Sequence, residues 1–371
     1  MRVATMAIDH YGNYGNNLQK YALQRALKNF VDFTELLWKN PTDFFPETLQ
    51  LGFMNNPIPR NCDEISRQKY IFREAIRLNK MKEFENRYIK VRFDLPYLED
   101  IADDYDFFIV GSDQVWNPYG LGRDPKYFLN FVPREKRISY AASISVPAIP
   151  EELKEFFKRG ISGFDYVSVR EEKSVEIIKE LTGQDALLVL DPVMLLTPKE
   201  WLEIAQKPSW FNEKYQRGYI LTYYLRNNPP KFIQETAKKL NLPVINLLDW
   251  DNYWHYITSP EEFVYLFSKA SLIFTNSFHG LVFSILFKRP FMNFESENDP
   301  EAIKFTTRIP GLLKMFGLED RIITSEKNCT TEELFEIDYS TLDKVLPQER
   351  RKSFEFLSNA LGVKMKEAQT K

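Results

Sequence analysis

Cysteine and histidine are the scarcest chemistry in this chain of 371 residues. There are two cysteines, Cys62 and Cys329, and three histidines. The cysteines have no metal-ligand spacing and are too few for a disulfide framework, so no zinc or iron–sulfur centre is expected and a reducing compartment is. A charge of one sign is lacking too. Forty-nine Lys and Arg against 52 Asp and Glu leave a net charge of -3, which marks neither a polyanion binder nor an acidic tail, and no nucleic acid is expected as a partner. Nowhere do about 18 uncharged apolar residues run together, and the segment before Asp9 has only one basic residue, Arg2, so neither a membrane span nor a signal peptide is read. Neither GxGxxG nor GxSxG occurs at the candidate loops, which weakens a dinucleotide site and disfavours a serine hydrolase. The expectation is a cytoplasmic protein.

What is present is apolar material, 44% of all positions, in short runs alternating with helix-length periodic segments. That pattern belongs to strands buried on both faces and joined by crossover helices, hence to an α/β fold. Strands are expected at Val3–Ile8, Phe107–Val110, Ile138–Ala142, Tyr166–Val169, Ala186–Leu190, Tyr219–Leu225, Pro243–Leu247, Ser271–Phe274 and Pro290–Phe294. These are too many for one small sheet, and Asp191-Pro192 is a natural break, with Pro198 able to start a new helix. Two Rossmann-like domains facing a cleft are expected over 1–190 and 191–340, followed by an amphipathic helix within 341–371, packing back on the first domain. Between Pro59 and Arg92, ten Lys or Arg and five Asp or Glu flank apolar residues spaced three or four apart. This basic helical insertion, 60–92, reads either as a packed helix with solvated charges or as a surface for an anionic lipid-linked acceptor.

Ligands of parallel sheets bind at the carboxyl ends of strands, and four segments there carry polar or glycine-rich sequence. The first, Asp9 to Asn17, contains His10, Asn13, Asn16 and Asn17 and leads into a helix, whose free N–H groups suit an anion or a sugar hydroxyl. It reads equally as an ordinary strand-to-helix turn. In the second, Gly111 to Pro118, Asp113 lies near Trp116 and Asn117, a mixture that could grip a sugar through an aromatic face and hydroxyl acceptors, or form a capped turn. The third delivers Arg170 at a strand end, as a clamp for a carboxylate or phosphate or as a partner of Glu171 or Glu172. The fourth, Thr275-Asn276-Ser277-Phe278-His279-Gly280, puts a histidine at a helix start, as an acid or base or as a structural cap. His255, among Trp250, Tyr253 and Trp254, reads as packing or an acceptor wall.

Taken in order, NYGNNLQKYALQ, VGSDQVWNP, SYAASI, VSVREEKSVEII, LDPV and TNSFHGLVFSILFKRPF resemble the polysaccharide pyruvyl transferase family over about Val3 to Arg321. The resemblance implies a two-domain architecture of the GT-B glycosyltransferase type, with the acceptor on the first domain and the donor on the second. It further implies transfer of the enolpyruvyl unit of phosphoenolpyruvate onto two hydroxyls of a sugar, giving a cyclic ketal and phosphate without a metal or other cofactor. His279 matches the family's catalytic histidine and Arg170 its donor-binding arginine. The chain departs from the S-x-R-L-H-G pattern of many members, since Ser277 stands where they carry arginine, and Lys288, Arg289 and Arg308 are the downstream cations that could replace it. On this basis His279 and Asp113 are expected to be catalytic, with His10 the second choice of base. Arg170, Asn276, Ser277, Gly280 and Arg308 are expected at the donor, and His10, Asn13, Asn16, Asn17, Trp116 and Asn117 at the acceptor. The acceptor is expected to be a lipid-linked oligosaccharide, met at the inner face of the membrane. A nucleotide-sugar-dependent GT-B glycosyltransferase and a non-catalytic carbohydrate-binding protein are the alternatives.

Overall fold

Two all-parallel sheets carry the structure, a computed structural model that describes residues 1–8, 12–37, 62–93, 95, 97–225, 229–294, 307–323 and 329–366. The first sheet comprises β1 (Arg2–Met6), β2 (Phe33–Leu37), β3 (Val91–Arg92), β4 (Phe107–Val110), β5 (Arg137–Ala142), β6 (Tyr166–Val169) and β7 (Leu187–Leu188) in the order β3-β2-β1-β4-β5-β6-β7. The second comprises β8 (Ile220–Tyr223), β9 (Val244–Leu247), β10 (Leu272–Thr275), β11 (Phe291–Phe294) and β12 (Ile322–Ile323) in the order β12-β11-β10-β8-β9. Both are doubly wound orders, and each has one place where the order reverses. In the first sheet it lies between β1 and β4, where Val3 is in register with Phe107; in the second, between β8 and β10, where Leu272 faces Ile220.

All nine expected strands form, most with ends trimmed by one to three residues. Three strands have no clear sequence signal. β2 reads Phe-Thr-Glu-Leu-Leu, and its central Glu35 is buried only because the Tyr105 hydroxyl donates to it from across the sheet. β3 and β12 are two-residue strands that exist by pairing with β2 and β11.

One apolar core runs through both halves. The helix Tyr14–Leu27 is buried on nearly every face, and its Tyr21 ring lies 5.6 Å from Trp201, itself 4.9 Å from Phe283 of the second half. The carboxy-terminal helix, Ser340–Leu361, crosses back to the first sheet. There Ser353 Oγ accepts the Leu190 N–H at 3.0 Å, and Phe356 packs 6.3 Å from Tyr140. This is a GT-B-like arrangement.

The basic segment forms a helix, Glu64–Tyr88, packed along one face and exposed along the other. Arg77 is buried, paired with Glu74 through two 2.7 Å contacts and donating to the Gly12 carbonyl at 2.6 Å. Tyr256 Oη completes Glu74 at 2.7 Å. Lys80 meets Glu262 at 3.2 Å, Arg87 meets Glu261 at 3.3 Å, and Arg73 donates to the Trp250 carbonyl. Four of the cations read as an acceptor surface are thus engaged by the chain itself, because the opposing loop and helix supply acceptors that the linear sequence does not show. Among the described residues no helix is long and apolar enough to cross a membrane.

Candidate active site

Both reversal points place their strand ends at one locus. From the first sheet, β4 leads into Gly111, Ser112 and Asp113. Gly111 has φ +123°, and a Cβ there would stand 2.1 Å from the Tyr140 carbonyl oxygen, so no other residue fits. Asp113 itself is left-handed, φ 64°, a conformation an Asp side chain tolerates at modest cost. β6 leads into Arg170, and the segment after β7 leads into Asp191, whose Oδ1 accepts the Val193 N–H at 3.0 Å and caps the short helix Pro192–Leu195.

Arg170 sits at the centre with its side chain 1% exposed. Its Nη1 donates to Asp191 Oδ2 at 2.6 Å, its Nη2 to Asp113 Oδ1 at 3.0 Å and its Nε to Glu171 Oε1 at 3.4 Å. Glu171 also accepts from the hydroxyls of Ser143 and Ser174. The guanidinium stands 4.4 Å over the Phe278 ring, against which Arg308 also rests at 5.7 Å. Gln114, its amide oxygen turned toward Arg308, accepts from both terminal nitrogens at 2.9 and 2.8 Å. Burial acts to raise the Asp113 carboxyl, but Arg170, His279 and Arg308 outweigh it and hold the group below the usual carboxylate range. Asp191 is likewise held low: burial opposes ionisation, while His279 and Arg170 favour it. Arg170 is raised, its burial more than offset by Asp113, Asp191 and Glu171. Three carboxylates against two guanidiniums leave this cluster with a net charge of about -1.

From the second half, β10 delivers Asn276 and Ser277, and Ser277 caps the helix Phe278–Leu286 through the Gly280 N–H at 3.4 Å. His279 is buried, with Nε2 3.7 Å from Asp191 Oδ2, within ion-pair range and beyond hydrogen-bond length, and that nitrogen has no hydrogen-bond partner among the described residues. Its other side lies on Gly15 of the first half. Next to Gly15, both amide atoms of the buried Asn16 lack partners among the described residues, as does Nε2 of Gln19, whose Oε1 accepts the Ser112 N–H at 3.2 Å. Unsatisfied buried polar atoms grouped at one locus call for an explanation, and a bound ligand is one.

A family model for polysaccharide pyruvyl transferase matches residues 13–298. The chain belongs to that family. No curated protein matches the chain. Solved structures similar to it include Alr3699/HepE from Anabaena, in complex with UDP and glucose (10% identity, 97% of this chain and 100% of that one, TM-score 0.49). Others are the UDP-GlcNAc 2-epimerase of Neisseria meningitidis (12%, 98% and 95%, 0.41) and the heptosyltransferase WaaC of E. coli with ADP (11%, 94% and 100%, 0.37).

Of the residues singled out in this pyruvyl transferase family member, the structure brings together Asp113, Arg170, Ser277, His279, Gly280 and Arg308, with Asn16 alongside. Others are spent elsewhere. Trp116 is fully buried, stacked 5.7 Å from Phe128 with its Nε1 donating to the Tyr127 carbonyl, so the expected sugar platform is corrected: both faces belong to the core. The Asn117 side-chain oxygen accepts the Tyr119 N–H at 2.9 Å in the turn. Asn276 gives both ends of its amide to the Leu225 backbone, at 2.8 and 3.0 Å, and so fastens β10 to β8 instead of offering itself to a donor. Asn13 caps the helix Tyr14–Leu27 by accepting the Asn16 N–H at 3.1 Å, and Asn17 Nδ2 donates to the Asn13 carbonyl at 3.0 Å. Lys288 pairs with Asp343 at 2.6 Å, and Arg289 lies by Tyr219 and Tyr339, toward the amino end of β8, so of the three downstream cations Arg308 alone joins the cluster. His255 is packing: its Nδ1 accepts the Asn246 N–H at 3.3 Å, and burial, with Lys214, lowers it to about 4. His10 lies outside the described residues.

Glu171 joins Arg170 as the sequence allowed, buried and not at the surface, whereas Asp191, Gln19, Gln114, Phe278 and Tyr223 enter the site without having been singled out. Asp191 had a signal, an Asp-Pro step directly after an apolar run. The others are named only by what the fold sets against them.

Proposed function

We propose that the protein transfers the pyruvyl unit of phosphoenolpyruvate to two hydroxyls of one sugar in a polysaccharide or its lipid-linked precursor. The observation that carries this reading is His279, a buried imidazole at the start of a helix, whose Nε2 stands 3.7 Å from the ionised Asp191 and has no hydrogen-bond partner among the described residues. A proton passes from His279 to the methylene carbon of the donor, which becomes the methyl group, while the adjacent carbon gains cationic character. The first sugar hydroxyl forms its C–O bond there and gives up its proton, and phosphate departs with the electron pair of the C–O bond that breaks. The second hydroxyl closes the ketal. Its two hydroxyl protons account for the new methyl hydrogen, through His279, and for the proton on phosphate.

Asp191 is a positioning residue that holds the imidazole against Arg170. Asp113 receives the acceptor hydroxyl, with Asn16 beside it. Arg308, half-buried beside the Phe278 ring, is the cation for the donor, Arg170 being buried, and the N-terminus of the helix Phe278–Leu286 adds its dipole. The scheme uses protein groups only, and the enzyme works in the cytoplasm on a lipid-linked acceptor. Incubation with phosphoenolpyruvate and a panel of lipid-linked oligosaccharides tests it, by phosphate release and an acceptor mass gain. Turnover with a nucleotide sugar in place of phosphoenolpyruvate would replace this reading with glycosyl transfer.

A further inference from the structure

Tyr223 is the last residue of β8, one of the two strands flanking the reversal point of the second sheet; the other, β10, leads to Ser277 and His279. Its ring is fixed on several sides: edge-on to Tyr14 at 5.8 Å, to Phe263 at 5.2 Å and to Phe267 at 6.4 Å. Its carbonyl accepts the Thr275 hydroxyl at 2.6 Å, which locks β8 to β10. Every part of the residue is thus used for packing except the hydroxyl. That hydroxyl is fully buried and finds no partner at ordinary hydrogen-bond geometry among the described residues, although the Ser277 hydroxyl lies close enough to act on it. Burial pushes the phenol well above its ordinary range, Arg77 and the Ser277 hydroxyl favour ionisation, and Asp113 opposes it. At neutral pH the group is therefore a proton donor, close enough to Ser277 and Asp113 to be influenced by both.

A phenylalanine would make the same ring contacts without stranding a polar group, which costs on the order of 1–3 kcal/mol when unsatisfied. We propose that the Tyr223 hydroxyl donates a hydrogen bond to an anionic oxygen, carboxylate or phosphate, of the donor bound at this reversal point, beside Ser277 and opposite Asn16. The inference rests on the pyruvyl-transfer reading for the identity of that donor.

The test compares wild type with Tyr223→Phe in thermal stability and in calorimetric affinity for phosphoenolpyruvate, with pyruvate and inorganic phosphate as separate probes of its two ends. The expected result is an unchanged or raised melting temperature together with phosphoenolpyruvate affinity weakened about 10-fold, which corresponds to about 1.4 kcal/mol. The KM for phosphoenolpyruvate should rise and that for acceptor should not. Whichever of pyruvate and phosphate loses affinity identifies the oxygen. Unchanged affinity in the variant, or a lowered melting temperature as its sole effect, would overturn the inference. If wild type bound UDP and not phosphoenolpyruvate, pyruvyl transfer would fall and Tyr223 would be judged by the same comparison on UDP; if wild type bound neither, both would fall.

Discussion

Gly15 and His279 touch across the two halves of the molecule: a Cβ added to Gly15 would stand 2.0 Å from Nδ1 of His279 and 2.3 Å from its Cγ. The histidine therefore keeps its place only because the first turn of the helix Tyr14–Leu27 presents bare backbone to it. Substitution Gly15→Ala should displace the imidazole or part the halves, with a stability loss of about 1–3 kcal/mol for overpacking and a much larger loss of turnover. Denaturant titration and steady-state kinetics on the one variant check this; normal turnover would mean that the contact relaxes freely.

His279→Ala should lose turnover by ~10²–10⁴-fold with donor affinity largely kept, as expected for removal of a positioned acid. His279→Gln should be nearly as poor, since an amide can hydrogen-bond but is too weak an acid to deliver a proton at neutral pH. A structural cap behaves differently: Gln would restore activity, and Ala would chiefly lower the melting temperature. Kinetics and melting curves on both variants separate the two.

Arg170→Ala should cost stability first, because it strips the cation from the buried carboxylates Asp113, Asp191 and Glu171. Removal of one partner from a buried ionic cluster costs on the order of 3–5 kcal/mol. The pH dependence follows from the depressed folded-state values of Asp113 and Asp191. Their contribution is present above the ordinary carboxylate value of 3.8 and is lost as pH falls through the folded values. The gap between wild type and Arg170→Ala should accordingly be widest near neutrality and narrow in acid. Urea titrations at neutral pH and below that value test it, and an equal gap at both would show that the carboxylates are not what Arg170 stabilises.

Charge reversal at Lys80 and Arg87 should weaken the contacts to Glu262 and Glu261 by roughly 1 kcal/mol or less each, the range of solvent-accessible pairs. Activity on a lipid-linked acceptor and its salt dependence should stay as they are. A loss of activity on that acceptor alone, with melting unchanged, would return these cations to acceptor binding.

Much of the fold was legible because the runs that form strands are apolar on both faces and need no partner to be recognised. β2 escaped because its Glu35 is made tolerable only by Tyr105, about seventy residues away. The candidate site was legible in part. Asp113, Arg170 and His279 each follow an apolar run and announce themselves as polar residues at strand ends. Trp116 and Asn276 obey the same rule, and nothing local tells that one ring is sandwiched in the core and the other amide is tied to Leu225.

The sequence by itself determined two doubly wound halves, the strand ends from which chemistry must come and the family, since these depend on local apolar periodicity and on motifs in order. Only the tertiary structure decided that Arg170 is held among Asp113, Asp191 and Glu171, that Arg308 and not Lys288 or Arg289 reaches the cluster, and that Gly15 backs His279. Apart from that of Arg170 with its neighbour Glu171, these are pairings between residues far apart in the chain. Charge, burial and steric clearance at such points depend on which surfaces the fold presses together, and no single stretch of sequence contains that information.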